Sequence, residues 1–275
     1  MRSRLSRFLC ALLMALGCLT AWPLPARAGI AVTPMIVMIE NRNRYADITI
    51  VNTNPDISSY DMGWTFYRMM EEGSRYVKSD VSTTEFDLSK HLVFTPRRVT
   101  LGPNSAQKIR IALRLNGEAP PPGDYRTHFF VRELPKTQSQ EDTADKRQAT
   151  LGVNINFGFS VPVIYRVGEN TDTASIGTVT VKRNAETGVI NVNVPVTKSK
   201  SGYSILGKVV VYHVDGKTEK IIGSISNANI FPEITKRTYE VGLKVKSLES
   251  GTLKVVYRDR DDDRLVYDEK IIPIQ

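Results

Sequence analysis

From Leu151 to Tyr165 the chain alternates without a slip. Leu151, Val153, Ile155, Phe157, Phe159, Val161, Val163 and Tyr165 share one parity; Gly152, Asn154, Asn156, Gly158, Ser160, Pro162 and Ile164 share the other. A period of two puts all eight large side chains on one face of an extended strand, whereas a helix, repeating every ~3.6 residues, scatters them. At ~3.3 Å per residue the run reaches about 50 Å, more than twice a usual strand, so part of it is expected to outrun its own sheet.

Shorter runs repeat the same period. Ala46, Ile48 and Ile50; Ile109, Ile111 and Leu113; Tyr125, Thr127, Phe129 and Val131; Ile190, Val192, Val194 and Val196; and Tyr239, Val241, Leu243 and Val245 each alternate with mostly polar neighbours. Turn formers separate them, among them Asn54-Pro55-Asp56, Gly102-Pro103-Asn104, Pro120-Pro121-Pro122-Gly123 and Glu249-Ser250-Gly251. Asp215-Gly216 is the clearest hairpin turn, of type I′, because both residues tolerate a positive φ. Glu71 to Asp87, acidic and without alternation, reads as a long loop. The fold class expected is all-β, with about seven short strands in each of two immunoglobulin-like sandwiches.

The N-terminus predicts export. Arg2, Arg4 and Arg7 precede an apolar run from Phe8 to Ala21, and Ala26-Arg27-Ala28 offers small residues for cleavage, so residues 1–28 read as a secretory signal peptide. Lipidation at Cys18 is a rival reading, weakened by Ala15 where a large aliphatic residue is expected. Cys10 and Cys18 both fall in the leader, so a mature chain from Gly29 has no disulfide, no thiol nucleophile and no cysteine-bound zinc. The leader's four arginines, with no acid among them, carry half of the +8 net charge and leave +4 for the rest. Export and spread-out bases exclude nucleic acid as a partner, and no later apolar stretch is long enough for stable membrane insertion. The remaining length fits two domains, residues 29–168 and 169–275, with the boundary at Gly168-Glu169-Asn170-Thr171.

Catalytic signatures are absent. His91, His128 and His213 are far apart in sequence, and no nucleophile elbow, Walker loop or dinucleotide fingerprint occurs. No cofactor and no metal is expected: Asp259, Asp261, Asp262 and Asp263 are interleaved with Arg258, Arg260 and Arg264 and lack the spacing of a calcium loop. Trp64 reads as a core aromatic, the other reading being a sugar platform in an exported carbohydrate-binding module. The distinctive feature remains Leu151 to Tyr165, preceded by the polar stretch Lys136 to Thr150. A long apolar strand beside such a stretch is an aggregation hazard unless it is used, and its use is β-augmentation of a partner. The pattern fits equally a long strand wholly inside its own core.

The chain resembles the PapD-like periplasmic pilus-assembly chaperones of the chaperone–usher pathway. The resemblance lies in Val51-Asn52 with Pro55; Pro96 through Leu101-Gly102-Pro103 and Gln107-Lys108-Ile109-Arg110-Ile111; Pro122-Gly123-Asp124-Tyr125-Arg126 through Glu133-Leu134-Pro135; and Val163-Ile164-Tyr165-Arg166. It covers most of the first domain and is closest in wording to the divergent, archaic branch. It implies a boomerang of two domains, no enzymatic activity, and a Sec-exported periplasmic protein. The implied partners are pilin or fimbrial subunits and an outer-membrane usher, with a self-capped dimer as one client-free state. It implies donor-strand complementation by Leu151, Val153, Ile155, Phe157 and Phe159, which would fill the pockets of an incomplete subunit.

In the best-known members an arginine and a lysine anchor the subunit's terminal carboxylate; here Met35 and Pro162 hold those positions. Arg97, Arg98, Lys108 and Arg110 are the bases left as candidate anchors, the other reading of each being a solvated surface charge. Arg126 replaces a glutamate of the family's interdomain ion-pair set, and Arg166 keeps its arginine. A third class, a structural subunit of a surface fibre, fits less well, because residues 30–39 already read as a first strand and two full domains follow.

Overall fold

The computed structural model describes residues 29–274, apart from 41, 72–75, 80–84, 116, 118, 136–157, 201 and 249. The protein is all-β, and a 3₁₀ turn at Ser89–His91 is the only helical element among the described residues. No described helix is long and apolar enough to cross a membrane.

Among the described residues, ten strands build the first unit: β1 (Ile30–Thr33), β2 (Val37–Glu40), β3 (Tyr45–Asn52), β4 (Ser58–Met69), β5 (Tyr76–Ser79), β6 (Leu92–Thr95), β7 (Arg98–Leu101), β8 (Ala106–Leu113), β9 (Gly123–Glu133) and β10 (Gly158–Val167). One sheet runs β1-β3-β8-β6; the other runs β2-β10-β9-β4-β5, with β7 also on β4. Alternation decides what lies between them. Ile48, Ile50, Ile109 and Ile111 from one sheet face Tyr60, Phe129, Val131, Val161, Val163 and Tyr165 from the other, all fully buried. Asn52, also buried, ties the turns: its Nδ2 donates to the carbonyls of Asp56, Leu101 and Gly102, and its Oδ1 accepts from Tyr60. Asn104 takes the positive φ of 55° in the expected Gly102-Pro103-Asn104 turn.

Glu71 to Asp87 is not only a loop. The twelve residues of β4 exceed its pairing with β9, which covers Tyr60 to Thr65, and the overhang Phe66 to Met69 is paired by β5. Strand β10 is described from Gly158 and pairs residue for residue with β9, from Gly158 opposite Arg132 to Val167 opposite Gly123. The expected donor residues Leu151, Val153, Ile155 and Phe157 lie outside the described residues.

Among the described residues, eight strands build the second unit: β11 (Ala174–Ile176), β12 (Thr180–Arg183), β13 (Ile190–Lys198), β14 (Gly207–Asp215), β15 (Thr218–Ile225), β16 (Lys236–Gly242), β17 (Thr252–Asp259) and β18 (Val266–Pro273). Strand β13 carries β11 and β12 on one side and β16 on the other, facing the sheet β15-β14-β17-β18. Val192, Val194, Val196, Val209, Val211, Val241 and Val255 fill the space between them. The β14–β15 hairpin turns one residue later than its sequence suggests. Asp215 pairs with Thr218, so Gly216 and Lys217 form the turn, and the positive φ of 58° belongs to Gly216 alone. That is the requirement of a type II′ turn, with glycine at its first central position.

Candidate functional site

Strand β10 is bounded differently along its two edges. On one side β9 pairs its whole length; on the other β2 runs parallel to it only from Val163 to Arg166. Among the described residues, Gly158 to Pro162 have no strand on that second edge. Of the expected donor residues only Phe159 is described, half-buried against the first core. Ser160 and Pro162 point the other way and leave the outer face of the strand short of side chain. Proline is tolerated in a sheet where a ladder bond is not needed, which fits a strand with one open edge.

The outer face of β9 meets the second unit. Tyr125, Thr127, Phe129 and Val131 alternate inward as expected, yet Asp124, Arg126 and His128 on the opposite face are buried as well. Arg126, at 0 % exposure, is held between the rings of Phe66 at 4.5 Å and Phe231 at 4.4 Å. Its guanidinium forms a two-point pair with Glu233 of the second unit, Nε to Oε2 at 3.1 Å and Nη2 to Oε1, and also donates to the Tyr67 carbonyl at 2.8 Å. Glu233 in turn accepts the Met69 backbone N–H at 2.8 Å. Arg126 thus meets its anion on the other side of the junction.

A second clamp lies lower on the same strands. Arg166 forms a bidentate pair with Asp124, both bonds 2.8 Å, and donates to the Ser204 carbonyl at 3.0 Å. Asp124 accepts the Ser204 backbone N–H at 2.7 Å, so the two members of the pair hold the N–H and the carbonyl of one residue of the second unit. Tyr203 adds a bond from its hydroxyl to the Val167 carbonyl, 2.8 Å. Buried Lys198 spends its ammonium on the carbonyls of Tyr203 and Phe231, and burial pushes it down to about 8.

Between these clamps and the open end of β10 lies a cleft of about 440 Å³, lined by Met35, Tyr67, His128, Pro162, Asn229 and Phe231 among others. The two positions where the resemblance places a carboxylate anchor, Met35 and Pro162, are therefore brought together, and both are uncharged. His128 accepts the Tyr67 N–H on Nδ1 at 3.3 Å, and burial, aided by the Arg126 charge, pushes its imidazole down to about 3.

The basic candidates lie elsewhere. Lys108 and Arg110 are on the outer face of the sheet opposite β10, where both pair with Asp47, at 3.7 and 2.9 Å. Arg110 holds the Asp47 carboxyl below its ordinary range through that hydrogen bond. Arg98 pairs with Asp61 at 3.6 Å, and Arg97 is exposed beside it, its carbonyl accepting from Met62. None of the four lines the cleft. Trp64 meets Phe94 and Phe129 edge to face, at 5.2 and 5.5 Å, in the packing role expected of it. In the last hairpin Asp261 and Asp262 pair with Arg260 and Arg264, and Lys208 takes Asp263.

These elements define the class: two face-to-face β-sandwiches of immunoglobulin-like type joined through a buried polar junction. No family model matches the chain, and no curated protein matches it. Solved structures similar to it include pilus and fimbrial chaperones. A Salmonella enterica SafA pilin–SafB chaperone complex is similar at 10% identity, covering 91% of this chain and 99% of that one, with a TM-score of 0.46. The Pseudomonas aeruginosa CupB2 chaperone is similar at 11% identity, with coverages of 89% and 100% and a TM-score of 0.42. The CsuC–CsuE pre-assembly complex of archaic chaperone–usher Csu pili from Acinetobacter baumannii is similar at 10% identity, with coverages of 89% and 97% and a TM-score of 0.41. Likenesses of this degree assign no residue a role.

Proposed function

We propose that the protein is a periplasmic chaperone that binds incomplete fibre subunits by lending them the strand leading into β10, and passes them to an outer-membrane usher. The observation that carries this reading is the open edge at Gly158 to Pro162, continuous in sequence with the unbroken alternation back to Leu151. A strand with a free edge offers main-chain hydrogen bonds, and alternate side chains offer specificity. Each of Leu151, Val153, Ile155 and Phe157, if fully buried in a partner's groove, contributes ~1.5–3 kcal/mol. Four such residues supply the affinity of a holding chaperone, and capping a subunit's exposed edge suppresses its aggregation.

The test is an affinity pull-down of the tagged mature protein from periplasmic extract of its own organism, with mass spectrometry of what co-purifies. A small β-rich secreted subunit, recovered with the unaltered protein and lost with Phe157→Asp, is the expected result. Retention on a glycan column with no protein partner would reject it.

A further inference from the structure

Gly29 is buried at the head of β1, and what surrounds it is polar. Ile30 opens the ladder to β3 opposite Asn52, and the Gly29 carbonyl lies 2.8 Å from the hydroxyl of Tyr60, itself fully buried. These contacts hold the Gly29 Cα in place. A Cβ built on it would lie 2.9 Å from Glu133 Oε2, 2.9 Å from Asn54 Nδ2 and 3.0 Å from Asn54 Oδ1. A larger residue would collide with this cluster, so glycine is required here for close approach.

The cluster holds an anion short of a cation. Glu133 Oε1 accepts from Asn54 Nδ2 at 3.0 Å and from Ser58 Oγ at 2.7 Å. Among the described residues no hydrogen bond reaches Glu133 Oε2 or Asn54 Oδ1, and no lysine, arginine or histidine pairs with the carboxylate; Arg132, next to it in sequence, takes Asp61 instead. Two acceptors thus crowd one Cα. The Gly29 nitrogen is bonded to that Cα, and bond lengths place it within about 5.4 Å of Oε2. Cleavage after Ala28, the processing that the sequence predicts, turns this nitrogen from a neutral amide with one N–H into an ammonium with three. At neutral pH a free α-amino group is mostly charged. A half-buried carboxylate already held by two donors gives such a cation a fixed partner, unlike a mobile surface acid.

We infer that Glu133, Asn54 and Ser58 form the seat of the chain's own processed N-terminus, in which the Gly29 α-ammonium pairs with Glu133 and donates to Asn54 Oδ1. The pair exists only in the cleaved protein, because an uncleaved chain presents no charge at this nitrogen. Processing therefore completes the first unit: it fastens the head of β1, in one sheet, to the end of β9, in the other. The inference rests on cleavage at Gly29 and is independent of what the protein binds.

The test uses the exported, processed protein. Intact mass and N-terminal sequencing should give Gly29 as the first residue. The α-amino group is then titrated by NMR through the Cα signal of isotope-labelled glycine. Free α-amino groups titrate at ~7.7–8.0, and pairing should raise that of Gly29 by about one unit, a tenfold change. Glu133→Gln keeps Oε1 for Asn54 and Ser58 and should return the amine to its ordinary range. Acetylating the α-amine gives a second route: it should lower the melting temperature of the unaltered protein and leave that of Glu133→Gln where it was. An amine that titrates in the ordinary range in the unaltered protein, an elevated value that survives Glu133→Gln, or equal lowering of both proteins by acetylation overturns the inference alone. A first residue other than Gly29 overturns the cleavage reading and the inference with it.

Discussion

Arg126 and Glu233 form an ion pair across the junction of the two sandwiches with both side chains at 0 % exposure. The pair is 107 residues apart in sequence and is covered on both faces of the guanidinium by Phe66 and Phe231. Neither ion can reach water if its partner is removed. Arg126→Met or Glu233→Gln alone should therefore cost ~3–5 kcal/mol in denaturant unfolding. The double variant Arg126→Met with Glu233→Gln should recover most of that loss, because no charge is left stranded and the Met69 N–H keeps an acceptor. Equal and additive losses in the singles and the double would show that the pair acts through packing alone.

That pair also marks where sequence reading stopped. The core was legible because Ile48, Ile50, Ile109 and Ile111 alternate with residues that face water, and period two fixes which face is which. Arg126 alternates in the same way between Tyr125 and Thr127, so locally it is indistinguishable from a solvated base. What buries it is the second unit, whose docking leaves no trace in the spacing of β9. Strand β5 was missed for a related reason: it exists because β4 overhangs β9, a matter of two strands' relative lengths. The hairpin at Gly216 was located by composition, but its type follows from the pairing of Asp215 with Thr218. At the candidate site the resemblance names Met35 and Pro162 as a pair, and only the fold shows that they share one cleft with Asn229.

His128 makes the junction acid-sensitive. Its imidazole is pushed from 6.5 down to about 3, first by burial and then by the Arg126 charge, so the folded protein resists protonation that the unfolded chain accepts. The stability this provides is complete above the unfolded value and is lost as pH falls toward the folded one. Between neutrality and a pH of about 5, unfolding should become easier by ~2 kcal/mol from this group. His128→Gln keeps an acceptor for the Tyr67 N–H and should flatten that part of the profile. An unchanged slope in urea titrations of the variant would assign the acid loss to other groups.

Gly207 is required for space. A Cβ built there would lie 2.4 Å from the ring of Tyr257, which is fully buried and donates its hydroxyl to the Ala228 carbonyl at 2.8 Å. The ring cannot retreat without breaking that bond or opening the second core. Gly207→Ala should destabilise the protein by about 1–3 kcal/mol through overpacking. Pairing it with Tyr257→Leu should return part of the loss in thermal unfolding, since the smaller side chain vacates the contested volume.

The strand entering β10 should divide into two functional zones at Gly158. Val161 and Val163 are at 0 % exposure between the sheets of the first unit, so Val161→Asp or Val163→Asp places a carboxylate in a packed core and should unfold or severely destabilise the protein with no partner present. Ile155 and Phe157 precede Gly158, the first described residue of β10, which lies opposite Arg132. If those residues serve a partner, Ile155→Asp and Phe157→Asp should leave the melting temperature within a degree or two while abolishing subunit capture. The two measurements together discriminate: capture and stability lost in parallel along the whole run would mean that the strand works only inside its own core. Capture lost alone on one side of Gly158, with stability lost on the other, is the outcome that the open edge predicts.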